Sequence, residues 1–309
     1  EPGKRLAMEN VLIDRIVLGH NAFFGVDHLS AARGAERAAF FADPQRILEV
    51  VHAAKAAGCS GMMMSTHERS IPVAELIAKD RDLAGSLRLY PLLPYAQKYV
   101  TRANEVGLIN LVLESLSGSG LMGGLAMMFQ GAKGVLARDV NAILGALIRL
   151  ELKHLEKLKL QAVFLHDVLT DLALGLELPE VFDFYSSEIK RLYGCQGAFA
   201  TKNLPVLLAK FKTWGLNPPV VMTHVNRMGY FMNPDRAACE AAAAAHEVSI
   251  LAMGTLASGY LKPAEAYAYL ATVPKVEAVV VGTSSPAHIN ETFAAVRENM
   301  PWGGKQASA

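Results

Sequence analysis

The sequence lacks an excess of charge of either sign, and this absence excludes a large class of partners. Its 309 residues carry 30 lysines and arginines against 29 aspartates and glutamates, so the formal net charge is +1. Proteins that bind nucleic acids ordinarily present a basic surface to the phosphates. The balance of charge therefore predicts no binding to DNA or RNA.

Cysteines and long apolar runs are also scarce. The three cysteines, Cys59, Cys195 and Cys239, lie far apart without C-x-x-C spacing, which indicates neither a disulfide framework nor a structural zinc knuckle. No apolar run reaches the roughly 18 residues that span a bilayer, and the first residues contain no signal-peptide core. These absences predict a protein of a reducing, cytoplasmic compartment that does not enter a membrane.

The sequence does have an alternation of short apolar segments with longer helical patterns, in a chain that is 52% hydrophobic. Nine segments have the length and composition of strands, and they are RIVLGH (15–20), GMMMST (61–66), LRLYPLLP (87–94), INLVLES (109–115), LQAVFLH (160–166), GAFAT (197–201), PVVMTH (219–224), SILAMG (249–254) and EAVVVG (277–282). Apolar strands joined by helices predict a parallel sheet buried on both faces. At this length, we expect one α/β domain over residues 1–309, a (β/α)8 TIM barrel in which residues 109–115 are the extra candidate. A doubly wound open sheet is the alternative.

Residues 115–137 interrupt this alternation and are rich in glycine and methionine. They follow a candidate strand, so in a barrel they would lie on the side of the mouth. We interpret them as a lid whose methionines close over an apolar ligand. A loosely packed inserted loop, or a contact between copies in a homo-oligomer, is the alternative.

Histidines recur where candidate strands end, which is where a barrel of this kind carries its chemistry. Four of the nine histidines stand at such ends, and they are His20, His67, His166 and His224. A neutral imidazole is costly to bury unless both of its nitrogens have partners, and Zn²⁺, Mn²⁺ or Fe²⁺ supplies one. Carboxylates at the strand ends, Glu68, Glu114 or Asp167, would act as metal ligands or as acceptors behind the histidines. The sequence thus predicts a divalent metal site, although it contains no H-x-H or H-E-x-x-H motif.

The last candidate strand runs into a turn rich in hydroxyl groups, VVVGTSSPAHINET (279–292). A turn that opens a helix offers unpaired N–H groups and the positive end of the helix dipole, so Gly282, Thr283 and Ser284 are candidates for binding a phosphate. An ordinary capped helix, with a serine as the N-cap before Pro286, explains the same residues.

From about residue 15 to residue 300, the order of these segments resembles the aldo-keto reductase superfamily. VLGHNAFFG is similar to that family's L-G-T-G-x-F-G, VFLHD to its strand with the catalytic histidine, and GAFATKNL to its G-V-S-N-F. VVMTHVNRMGY resembles V-V-Q-x-x-Y-N, MGTLASGYLKP resembles S-P-L-A-x-G-x-L, and the hydroxyl-rich turn resembles the family's closing turn. The resemblance implies a barrel that binds NADP(H), with His166 as a catalytic residue and Asn203 near the cofactor amide. It also implies that Gly282 to Ser284 lie over the adenosine phosphate.

The sequence departs from the family at most of its catalytic positions. Ser65 stands where the family has an aspartate, no tyrosine follows it, and Pro94 lies near the family's lysine. Met222 replaces the glutamine of V-V-Q and cannot hydrogen-bond a nicotinamide amide. If a reductase is retained, its proton donor has moved, and the candidates are His67, Tyr95 and Lys98.

Two enzymatic hypotheses and one other follow from these observations. In the first, the protein binds a small carbonyl or sugar-like substrate and acts on it as a metal-dependent lyase, isomerase or hydrolase, with His166, His67, Glu114, Asp167 and Tyr95 as catalytic candidates. In the second, it is an NADP(H)-dependent oxidoreductase with a relocated proton donor. In the third, the barrel is a ligand sensor or a subunit without activity of its own.

Overall fold

The structure is a computed structural model of the whole chain, and it describes residues 13–26, 30–94, 137–218, 220–283 and 285–300. The ninth candidate strand (109–115) and residues 115–136 of the predicted lid lie outside these ranges. The assignment of residues 1–309 to one domain stays a prediction, as does the homo-oligomer.

Eight parallel strands close into a barrel in the order in which they occur in the chain. They are β1 (Ile16–Leu18), β2 (Gly61–Ser65), β3 (Arg88–Leu93), β4 (Ala162–Leu165), β5 (Gln196–Thr201), β6 (Val221–His224), β7 (Ile250–Met253) and β8 (Val276–Val281). The first strand pairs with the last, with Leu18 beside Val281, and this pairing closes the ring. The predicted (β/α)8 barrel is confirmed.

Eleven α-helices are present in the described residues, and most of them return the chain from one strand to the next. They are α1 (Ala31–Phe40), α2 (Pro44–Ala56), α3 (Ser70–Lys79), α4 (Arg81–Ser86), α5 (Ala137–Leu152), α6 (Asp167–Gly175), α7 (Pro179–Tyr193), α8 (Leu204–Trp214), α9 (Arg236–Ala245), α10 (Pro263–Leu270) and α11 (Pro286–Asn299). Short 3-10 helices lie at Asn21–Phe24, Lys153–Leu155 and Ala257–Gly259.

Local chemistry explains where several of these helices begin. Asp43 caps α2 by accepting a hydrogen bond from the N–H of Gln45, and Asp235 caps α9 in the same way through the N–H of Ala238. Such caps satisfy N–H groups that have no partner within the helix. Proline follows the cap of α2 at the first helical position, where its missing N–H costs nothing.

The core has two layers because successive side chains of a strand point to opposite faces. One set fills the inside of the barrel and includes Val17, Met63, Phe164 and Leu251. The other set packs between the strands and the helices. This alternation decides which residue at the end of each strand faces the mouth.

The end of the barrel where the strands begin is closed by a polar cluster that we call the floor cluster, formed by Asp14, Arg88 and Tyr90. The guanidinium of Arg88 donates to both carboxylate oxygens of Asp14 through Nε, at 3.1 and 2.9 Å, and through Nη2. The hydroxyl of Tyr90 donates to Asp14 Oδ2 at 2.6 Å and accepts from the N–H of Asp14 at 2.9 Å. The polar atoms of the floor cluster are therefore used on one another.

No helix in the described part of the chain is long and apolar enough to cross a membrane. Cys59, Cys195 and Cys239 are free and buried. The cytoplasmic location stays a prediction.

Candidate active site

The carboxyl ends of the strands surround a cavity of about 780 Å³. Three strands carry their inward register into it: Phe164 of β4 is followed by His166, Ala200 of β5 by Lys202, and Met222 of β6 by His224. A concave, mostly apolar site with a few convergent polar groups at this end of a barrel is the expected form of an active site.

His166 and Asp167 are held together at the start of α6. Nδ1 of His166 lies 2.5 Å from Asp167 Oδ1, and the N–H of Val168 lies 2.9 Å from the same oxygen and 3.3 Å from Nδ1. A ring nitrogen cannot donate and accept at once, so the shorter contact places a proton on Nδ1 and leaves the N–H of Val168 to the carboxylate. Nε2 is then the nitrogen of His166 that remains for a ligand.

Lys202 completes this group, which we call the mouth cluster: His166, Asp167 and Lys202. Its Nζ lies 3.1 Å from Asp167 Oδ2, and its side chain is 36% exposed. Burial alone would raise the pKa of Asp167, but the hydrogen bond with His166 and the charges of His166 and Lys202 outweigh burial and hold that pKa well below its usual range. Asp167 therefore stays a carboxylate between two proton-bearing groups.

The backbone beneath Lys202 is fixed by a second carboxylate. Asp171 accepts from the N–H of Lys202 at 3.1 Å and from Thr201 Oγ1 at 2.5 Å. Burial raises the pKa of Asp171. On the open side, the ring of Phe231 lies 5.0 Å from Nζ of Lys202, within the range of a cation–π contact.

His20 lines the same cavity from the end of β1, and its side chain has an unusual environment. It is buried, with 9% of its surface exposed, and its Nδ1 has no hydrogen-bond partner among the described residues. Burial, with a smaller contribution from His166, lowers the pKa of His20 to about 4. The imidazole is therefore neutral at neutral pH and keeps an unsatisfied polar atom.

His224 also lines the cavity, and its ring packs against the backbone at Gly254, directly after β7. A Cβ built on Gly254 would lie 2.4 Å from Cδ2 of His224, and Gly254 has φ +61°. The ring of His224 makes an edge contact with Phe231 at 5.2 Å between centroids. Gly254 thus leaves the space that the imidazole occupies.

His67 is not among the described residues that line the cavity. Its Nδ1 accepts from the N–H of Arg69 at 3.0 Å, and its ring stacks on Phe24 at 5.8 Å. The chain has already turned towards α3 at this point, so the alternation of β2 no longer directs the side chain. The predicted catalytic role of His67 stays a prediction.

At the rim, the predicted phosphate turn forms the start of α11. Gly282 and Thr283 line the cavity, and Ser285 is the N-cap, accepting from the N–H of His288 at 3.4 Å. Arg33 and Arg37 of α1 line the same cavity, as does Glu291. The turn is therefore both a capped helix and a wall of the cavity.

Asn203 caps α8 and is not among the described residues that line the cavity. Its side chain accepts from the N–H of Val206 at 3.4 Å, and its own N–H donates to Thr201 Oγ1 at 2.9 Å. The predicted contact of Asn203 with a cofactor amide stays a prediction.

Four predicted site residues lie outside the described residues, as does most of the predicted lid. They are Glu114, Tyr95, Lys98 and Ser284. Their predicted roles stay predictions.

Sequence reasoning missed Lys202 and Phe231. The signal for Lys202 was present, since it lies two residues beyond Ala200 in the inward register of β5. Phe231 gives no comparable signal, because it reaches the cavity from the loop after β6 with φ +58°.

Comparisons with known proteins agree with this geometry at the level of the fold. No protein-family model matches the sequence, and neither does any curated protein sequence. Among solved structures, a protein from Pseudomonas aeruginosa assigned as an aldo-keto reductase matches with a TM-score of 0.59 and 18% identity, over 94% of each chain. An aldo-keto reductase from Brucella melitensis matches with a TM-score of 0.51 and 14% identity, over 82% of this chain and 83% of that one. The chain has the aldo-keto reductase fold.

The aldo-keto reductase fold corrects the first functional hypothesis. The prediction of a metal-dependent lyase, isomerase or hydrolase is wrong, because the matched barrels are those of reductases. The predicted cluster of His20, His67, His166 and His224 around Zn²⁺, Mn²⁺ or Fe²⁺ is wrong as well. Within the described ranges, no three histidine, cysteine or carboxylate side chains come together as metal ligands. The physical reason is that the chain has turned towards α3 at His67, whose ring does not line the cavity that the other three histidines line.

Proposed function

We propose that the protein is an oxidoreductase that reduces small carbonyl compounds with NADPH. The observation that carries this proposal is a single cavity that joins His166, at the centre of the mouth, to the turn before α11. His166 can act on a carbonyl oxygen, and the turn offers N–H groups to a phosphate. The reductases of P. aeruginosa and B. melitensis, which share the barrel, support the same class of reaction.

The residues at the turn fit the phosphate of a dinucleotide. A Cβ built on Gly282 would meet no atom within 4 Å, so a ligand can approach the backbone there. Ser285 opens a helix of 14 residues, whose first N–H groups and dipole attract anions. Arg33 and Arg37 add positive charge to the lining of the cavity. We infer that Gly282 and Thr283 contact the phosphate.

The centre of the cavity fits a flat ring beside a small substrate. Leu92, Met222 and Val280 form apolar walls that exclude water. The unpartnered Nδ1 of buried His20 is a polar atom that a bound ligand would satisfy. When bound, NADPH supplies a hydride to the carbonyl carbon.

His166 and Asp167 position the substrate in this proposal. Asp167 holds Nδ1, which fixes the ring and directs Nε2 away from the carboxylate. Nε2 then faces the reacting carbon's oxygen and can accept a hydrogen bond from the hydroxyl group of the alcohol. The second ring nitrogen of a catalytic histidine is commonly oriented in this way by a carboxylate.

A titration of NADPH, followed by its fluorescence, tests cofactor binding. We expect saturable binding to the unaltered chain and a dissociation constant raised at least about tenfold by Gly282→Asp, because the new carboxylate repels the phosphate. Gly85→Asp is the matched control, since Gly85 lies on exposed α4 with open space around it. Equal binding by both variants would contradict the proposed place of the phosphate.

Oxidation of NADPH in the presence of small aldehydes and ketones tests the reaction. His166→Ala should lower the rate by about 10²-fold, because the reacting group loses the ring that positions it, while NADPH still binds. An unaltered protein that binds no NADPH would refute the proposed function.

A further inference from the structure

Reduction of a carbonyl needs a proton at the oxygen, and His166 is poorly placed to give one when it is neutral. Its Nδ1 carries the proton that faces Asp167, so Nε2 of the neutral ring has a lone pair. In that form His166 accepts a hydrogen bond from a ligand and does not donate one.

Among the described residues, two other proton-bearing groups are unsuited to the task, and a third is tested below. His20 is neutral and buried, with a pKa of about 4. Tyr90 belongs to the floor cluster at the other end of the barrel, where its hydroxyl is bound to Asp14. Tyr230 also lines the cavity, with its ring 4.2 Å from that of Phe231, and it is the alternative donor in the test below.

We propose that Lys202 is a further catalytic residue and that its ammonium group gives the proton to the carbonyl oxygen. The inference rests on the proposed function. Lys202 projects into the cavity beside His166, and Asp167 holds its Nζ at 3.1 Å. Its backbone is fixed by Asp171. One carboxylate thus holds two different groups beside the cavity: Lys202, which donates to the carbonyl oxygen, and His166, which can accept a hydrogen bond from the hydroxyl group once the oxygen is protonated.

The step balances in atoms and electrons. A hydride from NADPH forms the new C–H bond, the π electrons of the C=O bond move to oxygen, and the oxygen takes a proton from Nζ. The carbonyl is reduced to an alcohol, NADPH is oxidised, and Lys202 is left as a neutral amine. Since the lysine side chain is 36% exposed, water can return the proton.

The ion pair also argues against a different use of this lysine. An amine attacks a carbonyl to form a Schiff base only when it is unprotonated. Nζ of Lys202 forms an ion pair with Asp167 at 3.1 Å, and the ammonium group that makes this pair has no lone pair. Lys202 is therefore an acid towards the carbonyl and not a nucleophile.

The test compares three substitutions at position 202 with saturating NADPH. Lys202→Met should lower kcat by about 10²- to 10⁴-fold. Lys202→Arg keeps a positive charge for Asp167, but a guanidinium does not give up its proton, so its kcat should stay close to that of Lys202→Met. In Lys202→Ala, added ethylammonium should restore part of the lost rate. The dissociation constant of NADPH, measured by fluorescence, should change by less than about threefold in all three.

Several results would overturn the inference. A Lys202→Arg variant with nearly full kcat would mean that only the charge matters. A larger fall in Tyr230→Phe than in Lys202→Met would move the donor to Tyr230. Loss of NADPH binding in Lys202→Met would make Lys202 a cofactor ligand.

Borohydride treatment with a carbonyl compound should add no mass at Lys202, and a trapped adduct would make it a nucleophile. If the unaltered chain binds no NADPH, the proposed function itself fails.

Discussion

The two ends of the barrel carry similar chemical groups in opposite arrangements. The floor cluster joins a carboxylate, Asp14, to a cation and a phenol, and the mouth cluster joins a carboxylate to a cation and an imidazole. On the floor, Tyr90 both donates to Asp14 and accepts from its backbone. At the mouth, His166 uses Nδ1 on Asp167 and keeps Nε2 for the cavity. Lys202 uses one N–H bond on Asp167 and keeps the others for the cavity. A structural cluster therefore differs from a reactive one in whether its side chains keep hydrogen-bonding groups that are not used within the cluster.

Burial acts on both ends but with different consequences. On the floor, burial and the charge of Asp14 raise the pKa of Tyr90 far above its usual value, so the phenol is locked as a donor. At the mouth, burial lowers the pKa of His20, and the imidazole is left neutral with one unpartnered nitrogen. The floor thus stabilises the fold, whereas the mouth retains unsatisfied groups that a ligand can complete.

The largest expected effect concerns Asp14. Asp14→Ala removes the partner of both Arg88 and Tyr90. Arg88 is 34% exposed and can turn to water, so most of the expected cost, about 3 kcal/mol, comes from the buried hydroxyl group of Tyr90. We expect the free energy of unfolding in urea to fall by that amount. Asp167→Ala is the matched variant at the mouth, and it should cost less. The two cations are about equally exposed, Arg88 at 34% and Lys202 at 36%. His166, however, is 27% exposed and can turn to water, whereas Tyr90 is fully buried.

The loss of activity should be greater in the variant that loses less stability. Asp14→Ala should bind NADPH as tightly as the unaltered chain does. Asp167→Ala should lose most of its turnover. A larger loss of stability at Asp167 than at Asp14 would remove the distinction between the two clusters.

The second effect concerns the pH dependence of stability. His20 has a pKa of about 4 in the folded chain against an ordinary value of 6.5. Between these values the unfolded state binds more protons, so stability rises with pH and falls as the pH is lowered. His20 alone should therefore reduce the free energy of unfolding by about 3 kcal/mol between pH 7 and pH 4.

His20→Gln provides the control, because it keeps a polar side chain but does not titrate in this range. Other groups contribute equally to both chains, so the difference between the two pH profiles isolates His20. Parallel profiles from pH 7 to pH 4 would show that the imidazole of the folded chain is not protected from protonation.

The fold could be predicted from the sequence because the strand pattern and the helix pattern indicated the same architecture. Apolar strands alternate with capped helices, and the predicted helix at 44–58 forms as Pro44–Ala56. Side-chain direction at the mouth could also be predicted wherever the alternation of a strand continues into the residues at its end. Phe164 and His166 share the inward register of β4, as do Met222 and His224 in β6.

The arrangement of the site was harder to predict, because it depends on ring directions that the register does not determine. His67 comes two residues after Ser65, but the chain has left the strand and its Nδ1 is used on Arg69. Asn203 precedes a leucine and a proline, and this order is typical of a helix cap, which is the role that it has. Four histidines near one mouth therefore did not make a metal site.

The smallest expected effect tests how closely the mouth is packed around His224. Gly254→Ala places a methyl group 2.4 Å from Cδ2 of His224 and a side chain at φ +61°. The backbone conformation alone costs about 1 kcal/mol. Gly194→Ala is the matched control, since Gly194 lies away from the cavity lining, has φ +68° and has no atom within 4 Å of the added carbon. We expect both variants to lose stability, but only Gly254→Ala to push the imidazole into the cavity and weaken NADPH binding. Equal affinities in the two variants would show that His224 can move aside, and that the mouth is less rigidly built than the floor.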